Sequence, residues 1–264
     1  MTTSTLVGRW PRTACGLLLA TASAAPAWAQ DTATLDANTA ITSEAQAVLD
    51  RMTATLKSLQ SFEVTAHATR DEVLPFGYKL QNHESARMLV ERPNRMRVEV
   101  QGDIKNRTYV YDGTQLSMYA PDFNVYSATP APGTLGELAS VLLDAGVELP
   151  LIDMLYHGAT GKLTEDVRVG IVVGDTMVDG VQTDHLAFRQ PQVDWQLWVE
   201  KGKQALPRKL LITTRYSVGD PQYQATLHWN LKPEIEAKSF TFVPPSGATK
   251  IASRNRLVAT GGEQ

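Results

Sequence analysis

Whatever chemistry this 264-residue chain performs must come from five histidines, one cysteine and its charged strands. The histidines stand at His67, His83, His157, His185 and His228. If the Pro75 to Gly77 turn closes a hairpin symmetric about residue 75, His67 and His83 face each other. Glu63 and Arg87 pair on the same face by the same register. Two imidazoles can begin a metal site, but zinc takes three or four protein ligands, and the sequence offers no third one nearby. The simpler reading is a solvated polar face with a histidine pair and an ion pair. His157, near the end of an apolar stretch, reads either as a pH-sensitive latch or as a charge favourable to a helix C-terminus. There is no G-x-S-x-G elbow, no H-E-x-x-H pair and no phosphate-binding glycine loop. The sequence therefore predicts no catalytic residue, no metal and no cofactor, and the chain reads as a non-enzyme.

Charge narrows the partners. Lys and Arg number 25 and Asp and Glu 28, a net charge of −3, too weak a field to gather nucleic acid or an anionic membrane. The first 29 residues have the parts of a secretory signal: Arg9 and Arg12, an apolar run from Ala14 to Ala25, Pro26, then Ala27-Trp28-Ala29 as an A-x-A site. Cleavage after Ala29 is expected, giving a periplasmic protein with 23 basic and 28 acidic residues, a net charge of −5. Cys15, the only cysteine, leaves with the signal. It lies at the start of the apolar run and not at the cleavage point, so neither a lipid anchor nor a disulfide is expected. No run reaches the ~20 apolar residues of a membrane-spanning helix, so no integral membrane segment is expected.

The elements that must position any site follow from periodicity. Residues 30–41 are small and polar and read as a flexible leader. Ala45, Val48, Leu49, Met52, Leu56 and Leu59 form one helical stripe, predicting a helix over 43–59 capped by Ser43 with Gln46. From Phe62 the period becomes two: Phe62, Val64, Ala66 and Ala68, then Met96, Val98 and Val100, then Tyr223, Ala225, Leu227, Trp229 and Leu231 alternate with polar residues. Asp112-Gly113 and Asp179-Gly180 are hairpin signals. About ten antiparallel strands follow, in a sheet large enough that it must curl to bury its apolar face. Trp195, Leu197 and Val199 share one face of a strand and Trp198 takes the other, which predicts cover on both faces. Phe240 and Phe242 before Pro244-Pro245 read as the last strand. Thr134 with Glu137 is a second capping box, Gly146 a C′ residue, and Pro150 to Gly158 a further short helix. Leu138, Leu142, Leu143, Leu151 and Leu155 are among too many apolar groups here for one face, so this segment is expected inside the curled sheet as a plug or lid. A single domain over 42–252 and a disordered tail over 253–264 complete the organisation.

Val90-Glu91-Arg92-Pro93-Asn94, the alternating strand after it, Tyr111-Asp112-Gly113 and Leu116 to Pro121 resemble the periplasmic outer-membrane lipoprotein carrier family. Leu206 to Leu210 and Phe240 to Pro245 look like its C-terminal half more loosely. The whole chain is more similar still to a family of predicted periplasmic proteins of unknown function with that fold. The resemblance implies a mainly β fold, an unclosed antiparallel barrel with an N-terminal helix and mid-chain lid helices, which carries acyl chains. It implies that Met96, Val98 and, beside them, Val100 line the cavity, where carriers typically have aromatic residues, and that Arg92 latches the lid by bonding to its backbone. The expected ligand is a lipid or the acyl chains of a lipoprotein. The alternative is a sensor or regulatory protein of the same fold that binds a periplasmic protein partner.

Overall fold

The computed structural model describes residues 40–144 and 162–253. Helix α1 (Ser43–Ser58) leads into a long hairpin of β1 (Ser61–Val73) and β2 (Lys79–Glu91), then β3 (Arg95–Gly102), β4 (Arg107–Tyr111), β5 (Gln115–Ala120) and β6 (Val125–Pro130). Helix α2 (Leu135–Asp144) follows, then β7 (Val169–Val178), β8 (Val181–Arg189), β9 (Val193–Glu200), β10 (Pro207–Thr214), β11 (Gln222–Asn230) and the short β12 (Thr249–Lys250). They form one 12-stranded sheet in the order β12-β6-β5-β4-β3-β2-β1-β11-β10-β9-β8-β7. Two meanders are thus joined where β1 pairs with β11. The strands β12 and β7 stay at opposite edges, so the sheet is not closed into a barrel. It is mixed and not purely antiparallel, because β12 runs parallel to β6.

The period-two residues bury one face, here called the inner face. Phe62, Val64, Ala66 and Ala68, Met96, Val98 and Val100, Leu186 and Phe188, Trp195, Leu197 and Val199, and Ala225 and Leu227 join one apolar cluster with both helices. Val48, Leu49, Met52 and Leu56 of α1 are buried against it. At about 1.5 to 3 kcal/mol per large apolar side chain, these four contribute on the order of 6 to 12 kcal/mol. That exceeds any capping or propensity effect, so packing holds α1 in place. Its start is pinned to the sheet: Ile41 bridges Gly170 of β7, and the Thr42 N–H donates to the Gly170 carbonyl at 2.9 Å. A Cβ at residue 170 would come within 2.8 Å of the Phe188 ring, so only glycine admits this approach.

Three expectations need correction. The N-cap of α1 is Thr42, whose Oγ accepts from the Ala45 N–H, and not Ser43, since Thr42 is the last extended residue. The β1–β2 hairpin pairs Val73 with Lys79 and is centred on Phe76, because Gly77 takes the positive φ of 80° late in a five-residue turn. His67 therefore faces Ser85, and His83 faces Thr69. Phe240 and Phe242 are not in a strand. Ser239 and Thr241 N–H groups bond back into local turns, and Pro244 and Pro245 lack donors for a ladder. Phe240 is buried there, and Phe242 lies against Tyr126.

Candidate functional site

The two conspicuous motifs of the N-terminal half meet at one end of the inner face. Arg92 directly follows β2 and reaches back to the end of α1: its backbone N–H donates to the Gln60 carbonyl at 2.8 Å and its Nε to the Leu59 carbonyl at 2.9 Å. Burial pushes this guanidinium below the ordinary arginine pKa. The neighbouring Pro93 carbonyl accepts the Leu135 N–H, the first of α2, at 2.9 Å. One dipeptide thus holds the end of α1 and the start of α2.

The Asp-Gly hairpin completes this anchor. Gly113, at φ 99°, lies so close to Asn94 that a Cβ would approach its Nδ2 to 2.5 Å. The Asp112 carboxylate accepts from the N–H groups of Thr114 and Gln115, both at 2.9 Å, and from the Thr114 hydroxyl at 2.8 Å. Burial raises its pKa, but these bonds outweigh the burial and hold it below the usual aspartate value. The Tyr111 hydroxyl donates to the Pro132 carbonyl just before α2, and burial keeps that phenol protonated by raising its pKa. At α2 itself the Glu137 N–H donates to the Thr134 hydroxyl at 3.2 Å, and Glu137 Oε2 accepts from the Thr134 N–H at 3.1 Å, the predicted capping box.

Met96, Val98 and Val100 are buried on the inner face in the same cluster as Leu138 and Leu142, with Leu143 half-buried against it. Leu151, Leu155 and His157 lie outside the described residues. Along β1 and β2 the inner row then changes character. Val64, Ala66 and Ala68 give way to Arg70 and Glu72, and Met88 and Ala86 to Glu84 and Asn82. Beyond them the turns at this second end carry exposed apolar groups: Phe76 and Tyr78, Ile104, Phe123, Tyr216 and Val218.

Residues 45–253 match the family described as a predicted periplasmic protein (DUF2092). The chain belongs to that family. No curated protein matches it in sequence. Solved structures similar to this DUF2092 chain include LprF from Mycobacterium bovis, 14% identical, covering 75% of this chain and 98% of that one with a TM-score of 0.48. Others are a LolA superfamily protein from Nitrosomonas europaea (11% identity, 75% and 97% coverage, TM-score 0.31) and the Pseudomonas aeruginosa MucA/MucB complex (19% identity, 72% and 59% coverage, TM-score 0.41).

The outer face of this DUF2092 protein holds charge pairs. Arg87 bonds Glu63 diagonally across the β1–β2 hairpin, where Glu63 lies opposite Leu89, and Glu99 lies 3.8 Å on its other side. A groove of about 830 Å³ there, between these residues and the segment from Lys232 to Val243, pairs Arg97 with Glu99 and Lys238 with Glu236. His67 meets His228 edge-on, 5.6 Å between rings, and His228 Nε2 lies 3.2 Å from Asp179. Among the described residues no three His, Cys, Asp or Glu groups gather as metal ligands. Among the described residues Trp198 is covered by the sheet's own side chains: it stacks on His185 at 4.2 Å, with Lys209 Nζ 4.9 Å from the ring. No described helix is long and apolar enough to cross a membrane.

Proposed function

We infer that this protein is a periplasmic carrier, exported by cleavage after Ala29, that holds a lipid or the acyl chains of a lipoprotein on the inner face of the sheet. The observation that carries this reading is the continuous apolar inner face of an unclosed sheet, with a helix, α2, attached through its base at Pro93, Pro132 and Thr134. Met96, Val98 and Val100 form the floor for the ligand. Leu138, Leu142 and Leu143, with Leu151 and Leu155, form the lid, and Arg92, which bonds the end of α1 beside the Pro93 carbonyl that holds α2, acts as its latch. Burial of an acyl chain supplies ~0.8 kcal/mol per methylene, so affinity needs no catalytic group and no cofactor.

The test is displacement of a hydrophobic fluorescent probe from the purified protein by a fatty acid or an acylated peptide. Saturable displacement by either supports the carrier, and failure of both overturns it. Arg92→Leu should alter loading or release while the fold survives. Unchanged affinity and release rate would remove the latch role. A second reading, a regulatory protein that binds a periplasmic partner, draws on the exposed apolar turns around Phe76, Tyr78, Tyr216 and Val218. Partner capture abolished by Phe76→Ser with Tyr216→Ser, without acyl binding, would favour it.

A further inference from the structure

Two hairpin turns meet at the Phe76 end of the sheet. A Cβ at residue 77, in the β1–β2 turn, would stand 4.0 Å from Val218 Cγ1, and one at residue 219, in the β10–β11 turn, 3.5 Å from the Val73 and Lys79 side chains. The first turn carries Phe76 and Tyr78 and the second Tyr216 and Val218, each 60% exposed or more. We propose that these paired turns dock the protein on a phospholipid bilayer, entering its interfacial zone without spanning it. This goes beyond the carrier reading: it adds a membrane surface as partner and does not depend on the inner face holding a ligand.

The side chains suit an interface. Four large apolar groups on adjoining turns form a patch that is costly to leave in water. Two are tyrosines, whose rings match the acyl boundary and whose hydroxyls match the head-group level. Tyr216 is held at φ 63°, an uncommon conformation for a bulky residue, yet its ring stays exposed, so folding gains little burial in return. Arg215 braces that ring, donating to its hydroxyl at 2.6 Å with the guanidinium 4.7 Å from the ring centre.

The backbone suits it as well. Peptide groups that approach hydrocarbon must bring their hydrogen bonds with them. The Leu74 N–H donates to the Tyr78 carbonyl at 2.9 Å and the Gly77 N–H to the Leu74 carbonyl at 2.8 Å. In the second turn the Thr214 and Asp220 N–H groups donate to the Pro221 and Ser217 carbonyls, both at 3.0 Å.

Charge selects the kind of surface. The two turns carry Arg215 and Asp220, which cancel, and at their base Lys79 pairs with Asp71 at 2.8 Å. A patch without net charge neither gathers anionic lipid nor is repelled by it, so it fits zwitterionic head groups. Ile104 and Phe123 add exposed apolar groups on two further turns of the same end. A fluid surface accepts such separated tips, whereas a protein partner would have to match them one by one.

The experiment is co-sedimentation of the purified protein with phosphatidylcholine vesicles. Wild type should pellet with them, its affinity changing less than about twofold between about 50 and 500 mM salt, because apolar contact is not screened. Phe76→Ser combined with Tyr216→Ser should weaken binding about tenfold or more. Val173→Ser combined with Met177→Ser, which removes exposed apolar groups from the edge strand β7, should leave it within about twofold. All four side chains are more than half exposed, so both variants keep their fold, which urea midpoints equal to wild type verify. Phe76→Trp keeps a ring at the tip and should bind as wild type does while its added fluorescence is quenched by vesicles with brominated acyl chains. No pelleting of wild type, binding that requires anionic lipid, equal loss from both pairs of substitutions, or no quenching of Phe76→Trp would overturn the proposal. Capture of a periplasmic protein that depends on Phe76 and Tyr216, without vesicle binding, would overturn it in favour of the regulatory reading. Vesicle binding that persists where acyl displacement fails supports docking and overturns the carrier reading alone.

Discussion

The two ends of the β1–β2 hairpin carry similar residue types in opposite roles. At the Pro93 end, Phe62 is 1% exposed and lies against Trp229, and Arg92 is partly buried and bonded to the Leu59 carbonyl. At the turn end, Phe76 is 79% exposed and Arg70 faces a solvent-lined pocket. The difference is what covers the inner face. The end of α1 and the start of α2 are both tied at the Pro93 end, whereas on β1 and β2 the inner row beyond Ala68 turns polar and the turns beyond it leave apolar groups in solvent. One end is covered and tied down, and the other leaves polar and apolar groups in solvent.

Removing the same ring at each end is the largest way to break this comparison. Phe62→Ala should cost about 3 to 5 kcal/mol, since it leaves a cavity among buried groups. Phe76→Ala should change stability by no more than about 0.5 kcal/mol. Urea unfolding of the two variants checks both, and similar costs would erase the distinction between the ends. Next in size is Gly113→Ala, expected to cost about 1 to 3 kcal/mol through its positive φ and the approach to Asn94. Adding Asn94→Ala should recover only the steric part, because the backbone strain remains. Full recovery would show that the anchor depends on side-chain fit alone.

The smallest effect is acid sensitivity of the Pro93 end. The Asp112 pKa is lowered in the folded state, so its contribution is fully present above the unfolded value of about 3.9 and is lost as pH falls through the folded one. The stability difference between wild type and Asp112→Asn should be constant from pH 7 to 5 and shrink below about pH 4. A difference that is flat across that range would mean the carboxylate charge adds nothing to the anchor.

Local chemistry made much of this fold legible. The alternation of Met96, Val98 and Val100, the two-residue Asp179-Gly180 turn that pairs Val178 with Val181, and the capping box of α2 each depend on residues a few positions apart. Register was harder to read: the turn centre fell on Phe76 instead of Pro75 because the positive-φ glycine sits late in the turn, and that one step separates His67 from His83. Long-range pairing left no local trace. Arg70 meets Tyr223, and His67 meets His228, only because β1 joins β11 across about 150 residues of chain. The pocket beside Arg70 and Tyr223 was therefore invisible in the sequence, while the Arg92-Pro93 and Asp112-Gly113 motifs were visible and their contact through Gly113 and Asn94 was not.

Hydrogen exchange on α2 tests most directly whether it is a lid over a ligand surface. A helix that opens while its base stays tied should exchange at Leu138 to Leu143 more than about tenfold faster than β3 does at Met96 to Val100, and saturating dodecanoate should slow it. Protection of α2 equal to that of β3, and unaltered by dodecanoate, would make it a permanent part of the core and contradict the account.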